Sequence, residues 1–173
     1  MSRAFVKELD GDDVLDSIPE RLHSDLPNYI TREGLRYLKS EVRRLETDIA
    51  TSKTNLSIDA RSRAEPAKRD LRYLRERVRR AIPTEVPESP SAVQFGVTVR
   101  LLAEDGCTHQ FTLVGEDETN IEAGHISWAS PIGHLLIGHE IGDEVVWPRD
   151  NANLKVEIID LWGLRENSIV DPH

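Results

Sequence analysis

The chain has 173 residues, a formal net charge of -9 and only 5% aromatic residues, enough for one ordinary domain or a small domain with an elongated appendage. No apolar run approaches the roughly 18 residues of a spanning helix, and no basic-then-apolar leader is present. The single Cys107 permits neither an internal disulfide nor a cysteine metal cage, so a cytoplasmic protein with no membrane contact is expected.

Residues 1–28 hold 3 basic and 7 acidic side chains, residues 29–82 hold 15 and 8, and residues 83–173 hold 4 and 16. A basic middle between acidic flanks implies a dipolar molecule whose segments face different partners. The first of these segments, 1–28, lacks a sustained apolar period and reads as an acidic N-terminal tail, in which Phe5, Val6 and Leu9 are apolar residues able to dock.

From Thr31, a helix cap by residue type, Leu35, Leu38, Val42, Leu45, Ile49, Ser52 and Leu56 recur at spacings of three and four. Ala60, Ala64, Ala67, Leu71, Leu74, Val78 and Ala81 repeat the pattern. Pro66 suits the first turn of a helix rather than its interior. The spacing therefore predicts two helices, a turn near Ser57 to Glu65, and a second helix from Pro66. Two such seams pack as an antiparallel coiled-coil hairpin over 29–82, with an intermolecular coiled coil as the alternative. Its return arm carries Arg69, Arg72, Arg75, Arg77, Arg79 and Arg80, which with Arg61 and Arg63 form a basic surface able to meet phosphates.

Residues 83–92, with Pro83, Pro87 and Pro90, read as a semi-rigid linker. Beyond it the period changes to two. Val97, Val99 and Leu101 alternate, Asp105-Gly106 turns the chain, and Phe111 and Leu113 continue on a second strand. A loop at Asp117-Glu118 and Asn120 precedes a short strand from His125 to Trp128. Ser130 and Pro131 then cap a short helix carrying Ile132, Leu135 and Leu136, which Gly138 closes. Gly142-Asp143 turns into the strand Glu144 to Trp147. A last strand, Lys155 to Trp162, has Val156, Ile158 and Asp160 on one expected face, and 163–173 is a loose end. The fold class is α+β, a helical hairpin followed by an antiparallel sheet domain with one short helix at 93–162.

Candidate chemistry is sparse. His134 and His139 are five apart and do not share a helix face, so a metal site is not expected. Cys107 and His109 lack a third orienting group. The sequence has no P-loop, dinucleotide fingerprint or zinc-protease motif, and no enzyme is expected.

The ordered set Ile126-Ser127, Ser130-Pro131, Gly138, Gly142-Asp143 and Val145 resembles the C-terminal signature of the GreA/GreB family of bacterial transcript cleavage factors. Phe95-Gly96 with Val97 and Val99, Val114-Gly115 with Asp117-Glu118, and Ile30-Thr31-Arg32-Glu33-Gly34 extend that resemblance across most of the chain. It implies an FKBP-like C-terminal domain without prolyl isomerase activity and a hairpin shorter than the family's by roughly two turns per arm. It also implies a monomer that binds bacterial RNA polymerase at its secondary channel, with docking at Ala129, Ser130, Pro131 and Ile132 and only indirect contact with RNA and DNA.

In the family the hairpin tip reads approximately G-D-x-S-E-N-A, and its carboxylates help hold a Mg²⁺ of the polymerase. The corresponding carboxylates here are Asp59 and Glu65, with Arg61 and Arg63 between them. Converging oxygen ligands are opposed by interposed guanidinium groups, so channel occupation without cleavage stimulation stands beside a cleavage role. The chain has no cofactor of its own, and the polymerase's Mg²⁺ enters only if those carboxylates function. Two alternatives stay open: an adaptor resembling Rnk, a regulator of nucleoside diphosphate kinase, and direct nucleic-acid binding through the basic arm.

Overall fold

The computed structural model describes residues 19–54, 58–149 and 153–163, with side chains described outside 53–63. The acidic residues before Pro19, the start of the expected turn at Ser57 and the end beyond Gly163 lie outside the described residues. The chain divides into two compact units.

The first unit joins residues 19–24 to Lys39–Arg79, and so holds most of α1 (Arg32–Thr54) and α2 (Ile58–Arg80). Leu45 and Ile49 of α1 are buried with Leu71 of α2, and Val42, Ala67 and Leu74 pack beside them. Each of the three buried side chains contributes about 1.5–3 kcal/mol. Exposed ion pairs such as Arg75 Nη2 to Glu46 Oε1 at 2.7 Å add at most about 1 kcal/mol each. The apolar contact therefore dominates.

The expected turn is misplaced. Only residues 55–57 separate the helices, and Pro66 lies inside α2. The residues before Pro66 (Ala60, Arg61, Ala64, Glu65) include strong helix formers and no glycine. They carry the helix through the proline at the cost of one backbone hydrogen bond. Arg77 is also displaced from its expected role, because it is 1% exposed and cannot belong to a phosphate-facing surface.

The second unit joins Asp25–Leu38 to the chain from Arg80 onward. It opens with β1 (Asn28–Ile30) and β2 (Ala81–Pro83), a parallel pair in which Asn28 faces Ala81 and Ile30 faces Pro83. Three residues are too few for a period to register in sequence. The main sheet has the order β5-β4-β3-β7-β6, formed by β3 (Val97–Ala103), β4 (Thr108–Val114), β5 (His125–Ser127), β6 (Glu144–Pro148) and β7 (Asn153–Gly163). Gly106, at φ +82°, supplies the turn between β3 and β4.

Two expectations about this sheet need correction. It is not wholly antiparallel, because β5 runs parallel to β4, with Thr112 opposite His125. The loop after Val114 is long enough to carry the chain back before it pairs again. Asp160, moreover, does not share a face with Val156 and Ile158. Leu101 pairs with Ile158 but Arg100 pairs with Asp160, leaving Ile159 as the extra residue of a β-bulge. The bulge reverses the alternation, so Leu161 is buried and Asp160 reaches the exposed Arg100 at 3.5 Å.

Val97, Val99, Leu101, Leu113, Val156 and Ile158 form the centre of the core, closed by Leu136 of α3 (Pro131–Leu136). Phe111 of β4 and Trp147 of β6 have ring centroids 5.4 Å apart, although two strands separate their own in the sheet order. In a flat sheet those strands would lie about 14 Å apart. The sheet is therefore strongly curled. Mixed α+β architecture with few helices is the outcome.

Candidate functional site

The strand-to-helix junction at Ser127–Gly133 is built almost entirely from short polar contacts. Ser130 Oγ accepts the Gly133 N–H at 3.1 Å and donates to the Ser127 carbonyl at 2.7 Å. Ser127 Oγ accepts the Ala129 N–H at 3.1 Å. Ser130 is thus the N-cap that its residue type indicated, and Pro131 occupies the first turn. A Cβ on Gly133 would come within 2.5 Å of the Ser127 carbonyl oxygen and 2.7 Å of that of Trp128. Glycine is required there by backbone approach.

This packing leaves Pro131 exposed and Ala129, Ser130 and Ile132 half-buried. Ile132 packs against the sheet core, so the outward part of this junction is Ala129, Ser130 and Pro131, beside Trp128 in the chain. The Trp128 ring meets Tyr29 edge-on at 5.2 Å and His134 at 5.8 Å. Its indole N–H is buried without a hydrogen-bond partner.

A second constellation was not anticipated as one. Thr31 Oγ1 accepts the Gly34 N–H at 2.9 Å, capping α1, and donates its own proton to Glu118 Oε1. Glu118 Oε2 accepts the N–H groups of Thr31 at 3.0 Å and Gly115 at 3.1 Å. Glu118 is 8% exposed. Its burial pushes the carboxyl above the ordinary carboxylate range, against the lowering effect of those donors. A Cβ on Gly34 would sit 2.2 Å from Glu118 Oε1, and one on Gly115 would sit 2.4 Å from the Tyr29 carbonyl oxygen. The Ile30–Gly34 and Val114–Glu118 segments, matched separately in sequence, are two halves of one clasp.

In the helical unit the candidate residues separate. Asp59, Arg61 and Arg63 lie in the first turns of α2, with side chains outside those described. Glu65 pairs with Lys68. Six residues apart on one helix, positions 59 and 65 stand about 120° apart around the axis and about 9 Å apart along it. Arg69 bonds Asp70 at 3.0 Å, Arg72 Nε donates to Glu20 at 3.0 Å, and Arg75 pairs with Glu46. Glu20, within the span expected to be tail, is thus tied to α2.

Among the remaining titratable groups, His139 Nδ1 lies 3.2 Å from Asp143 Oδ2, whose carboxyl is held low by the Glu140 N–H and by that imidazole. Asp105 raises the Cys107 thiol pKa, which opposes a nucleophilic role. His109 lies against Phe111 and Trp147 instead. Among the described residues, no helix is long and apolar enough to cross a membrane.

The model of the C-terminal part of the GreA/GreB transcription elongation factors matches residues 88–162. Over longer stretches the chain is similar to GreA of Thermomicrobium roseum, 33% identical over 149 residues, covering 76% of this chain and 95% of that protein. It is 30% identical over 151 residues to GreA of Pelobacter propionicus, covering 76% and 94%. It is 29% identical over 157 residues to GreB of Neisseria meningitidis, covering 81% and 96%. A solved elongation factor GreA/GreB from Nitrosomonas europaea is 24% identical, with 80% of this chain and 99% of that one covered at a TM-score of 0.40. Identity at this level across nearly the whole length of its relatives makes the chain a member of the GreA/GreB family of transcription elongation factors.

Proposed function

We propose that this protein binds bacterial RNA polymerase at the secondary channel, with an FKBP-like domain on the rim and a coiled-coil hairpin inserted, and that it occupies the channel without stimulating RNA cleavage. Family membership supports the partner. The outward part of the junction, Ala129, Ser130 and Pro131, offers a small, rigid docking surface whose backbone is fixed by Ser127 and Ser130.

The observation that carries the second half is the continuity of α2 from Ile58. Two carboxylates that must share a hard cation have to converge within about 5 Å of each other. On α2, positions 59 and 65 are about 9 Å apart along the axis and on different faces, and the sequence puts Arg61 and Arg63 in that interval. Any hydrolysis would in any case be the polymerase's own metal chemistry, with this chain contributing ligands at most.

The test uses backtracked elongation complexes with Mg²⁺ and 3′-labelled RNA. No shortening of the RNA is expected, together with competition against a cleavage-proficient family member. Cleavage that an Asp59→Ala, Glu65→Ala variant loses would overturn the second half. Absence of both cleavage and competition would overturn the first and favour an adaptor role.

A further inference from the structure

We infer that Arg72 and Tyr73 of α2 form a site for a nucleotide unit, a phosphate with its attached base, and that residues 19–24 are a strap that fills this site until such a ligand displaces it.

The contacts of the strap show what the site offers. Glu20 accepts from Arg72 Nε at 3.0 Å and also from Arg72 Nη2, the two-nitrogen geometry in which a guanidinium holds a carboxylate or a phosphate alike. Three residues on, the His23 ring lies parallel to that of Tyr73, with centroids 4.8 Å apart and 3° between the planes. The Arg21 guanidinium is 3.9 Å from the centre of the same tyrosine ring. An anion on an arginine and a flat heterocycle on an aromatic ring are the contacts that hold single-stranded nucleic acid without reading its sequence. The carboxylate beside them is already engaged. Asp70, which Arg21 meets at 3.7 Å, is bonded by Arg69 at 3.0 Å and keeps that partner when the strap leaves.

The strap is built to be replaced. Residues 19–24 carry no regular secondary structure. Leu22, in the middle of the strap, is 93% exposed, so the leucine is not what holds it to α2. The side chains of Arg72 and Glu20 are 56% and 62% exposed, and a pair this open to water is weak and screened by salt. His23 Nδ1 is buried with no hydrogen-bond partner among the described residues, a cost that detachment recovers. A phosphate outbids a carboxylate for a guanidinium by charge, and a base offers a larger stacking face than an imidazole. The advantage of the strap is its tether, which gives it a high effective concentration at the site. This binding is independent of any docking on polymerase.

The test is fluorescence anisotropy of a labelled oligouridylate titrated with the full-length chain. Glu20→Gln, Arg21→Gln and His23→Ser together remove the strap contacts and leave the formal net charge unchanged. This variant should bind about tenfold more tightly than wild type, the effect of losing a tethered competitor. Within it, Tyr73→Leu should weaken binding by about tenfold. Arg72→Gln, at an exposed position, should lower the slope of log affinity against log salt by about 0.7, one phosphate contact on a single strand. Unchanged helical ellipticity verifies that each variant folds. Uridine monophosphate that displaces the probe makes the ligand a free nucleotide, and failure to displace it makes the ligand a single strand; the site stands in both cases. Equal affinity of wild type and the strap variant would overturn the inference, as would binding that survives both Tyr73→Leu and Arg72→Gln. Binding of a peptide copy of residues 19–24 without any binding of the oligonucleotide would also overturn it, because the ligand would then be a protein segment.

Discussion

Thr31 meets Glu118 through both its polar groups, giving its N–H to one carboxylate oxygen and its hydroxyl proton to the other. The same hydroxyl oxygen receives the Gly34 N–H at 2.9 Å, so one side chain both starts α1 and fastens it to the turn at Glu116–Glu118.

Replacing Glu118 separates charge from hydrogen bonding. Glu118→Ala leaves buried N–H groups of Thr31 and Gly115 without acceptors, and a loss of about 1–3 kcal/mol is expected by urea unfolding. Glu118→Gln is satisfiable: its carbonyl oxygen can accept both backbone N–H groups while its amide donates to Thr31 Oγ1. It should therefore cost clearly less than the alanine variant.

The pH dependence has a definite sign. Burial raises the Glu118 carboxyl above its ordinary value of 4.5, so the folded state holds its proton at pH values where the unfolded state has released it. The stability this group contributes is full below 4.5 and falls as pH rises through the folded value. The difference in unfolding free energy between wild type and Glu118→Gln, followed upward from pH 4, should shift against wild type; a flat difference would refute the assigned cause.

Gly34→Ala tests the closeness of the clasp. Alanine favours a helix by about 1 kcal/mol, yet its Cβ would sit 2.2 Å from Glu118 Oε1. Net destabilisation of about 1–3 kcal/mol is expected, relieved when Glu118→Ala is combined with it. A double-mutant cycle should show strong coupling, and additivity would contradict the geometry.

Pro66 makes the opposite kind of prediction. Because it lies inside α2, Pro66→Ala restores an interior hydrogen bond and removes a ring clash. The helical unit should gain up to about 3 kcal/mol and show higher helical ellipticity.

Around the bulge, Leu161→Ala should cost about 2–5 kcal/mol. Asp160→Ala should cost under about 1 kcal/mol, because its pair with Arg100 is exposed. Strict alternation from Val156 would predict the reverse ranking, so thermal unfolding of the two variants distinguishes them.

Much of the fold was legible wherever a period ran for two turns or more. The apolar spacing through Val42, Leu45 and Ile49 and the alternation through Val97, Val99 and Leu101 both mark buried faces. Residue chemistry alone identified the caps, since serine or threonine followed three positions later by a glycine N–H gives Ser130 and Thr31 their roles. The second helix start was not legible, because the preference of proline for a first helical turn points to Pro66, whereas the eight residues from Ile58 to Glu65, with no helix breaker among them, carry the helix up to it. The bulge at Ile159 follows from pairing with β3, which no local pattern encodes. Of the candidate site, the helix cap at Ser130 and Pro131 could be located in sequence, whereas the bonds joining Thr31 to Glu118 bridge 87 positions and leave no spacing signal. The docking of His23 on Tyr73 escaped for the same reason.

The parallel pairing of β1 with β2 sets Ile30 beside Pro83, which lie just outside the beginning of α1 and the end of α2. Everything between Thr31 and Arg80 is therefore an excursion of the chain that leaves and rejoins the same short strand pair. Equal whole-turn insertions or deletions in the two helices would leave that register untouched. The number of residues in the two helices is thus uncoupled from the pairing at their ends, and stretches exchanged at Thr31 and Arg80 would behave as interchangeable parts.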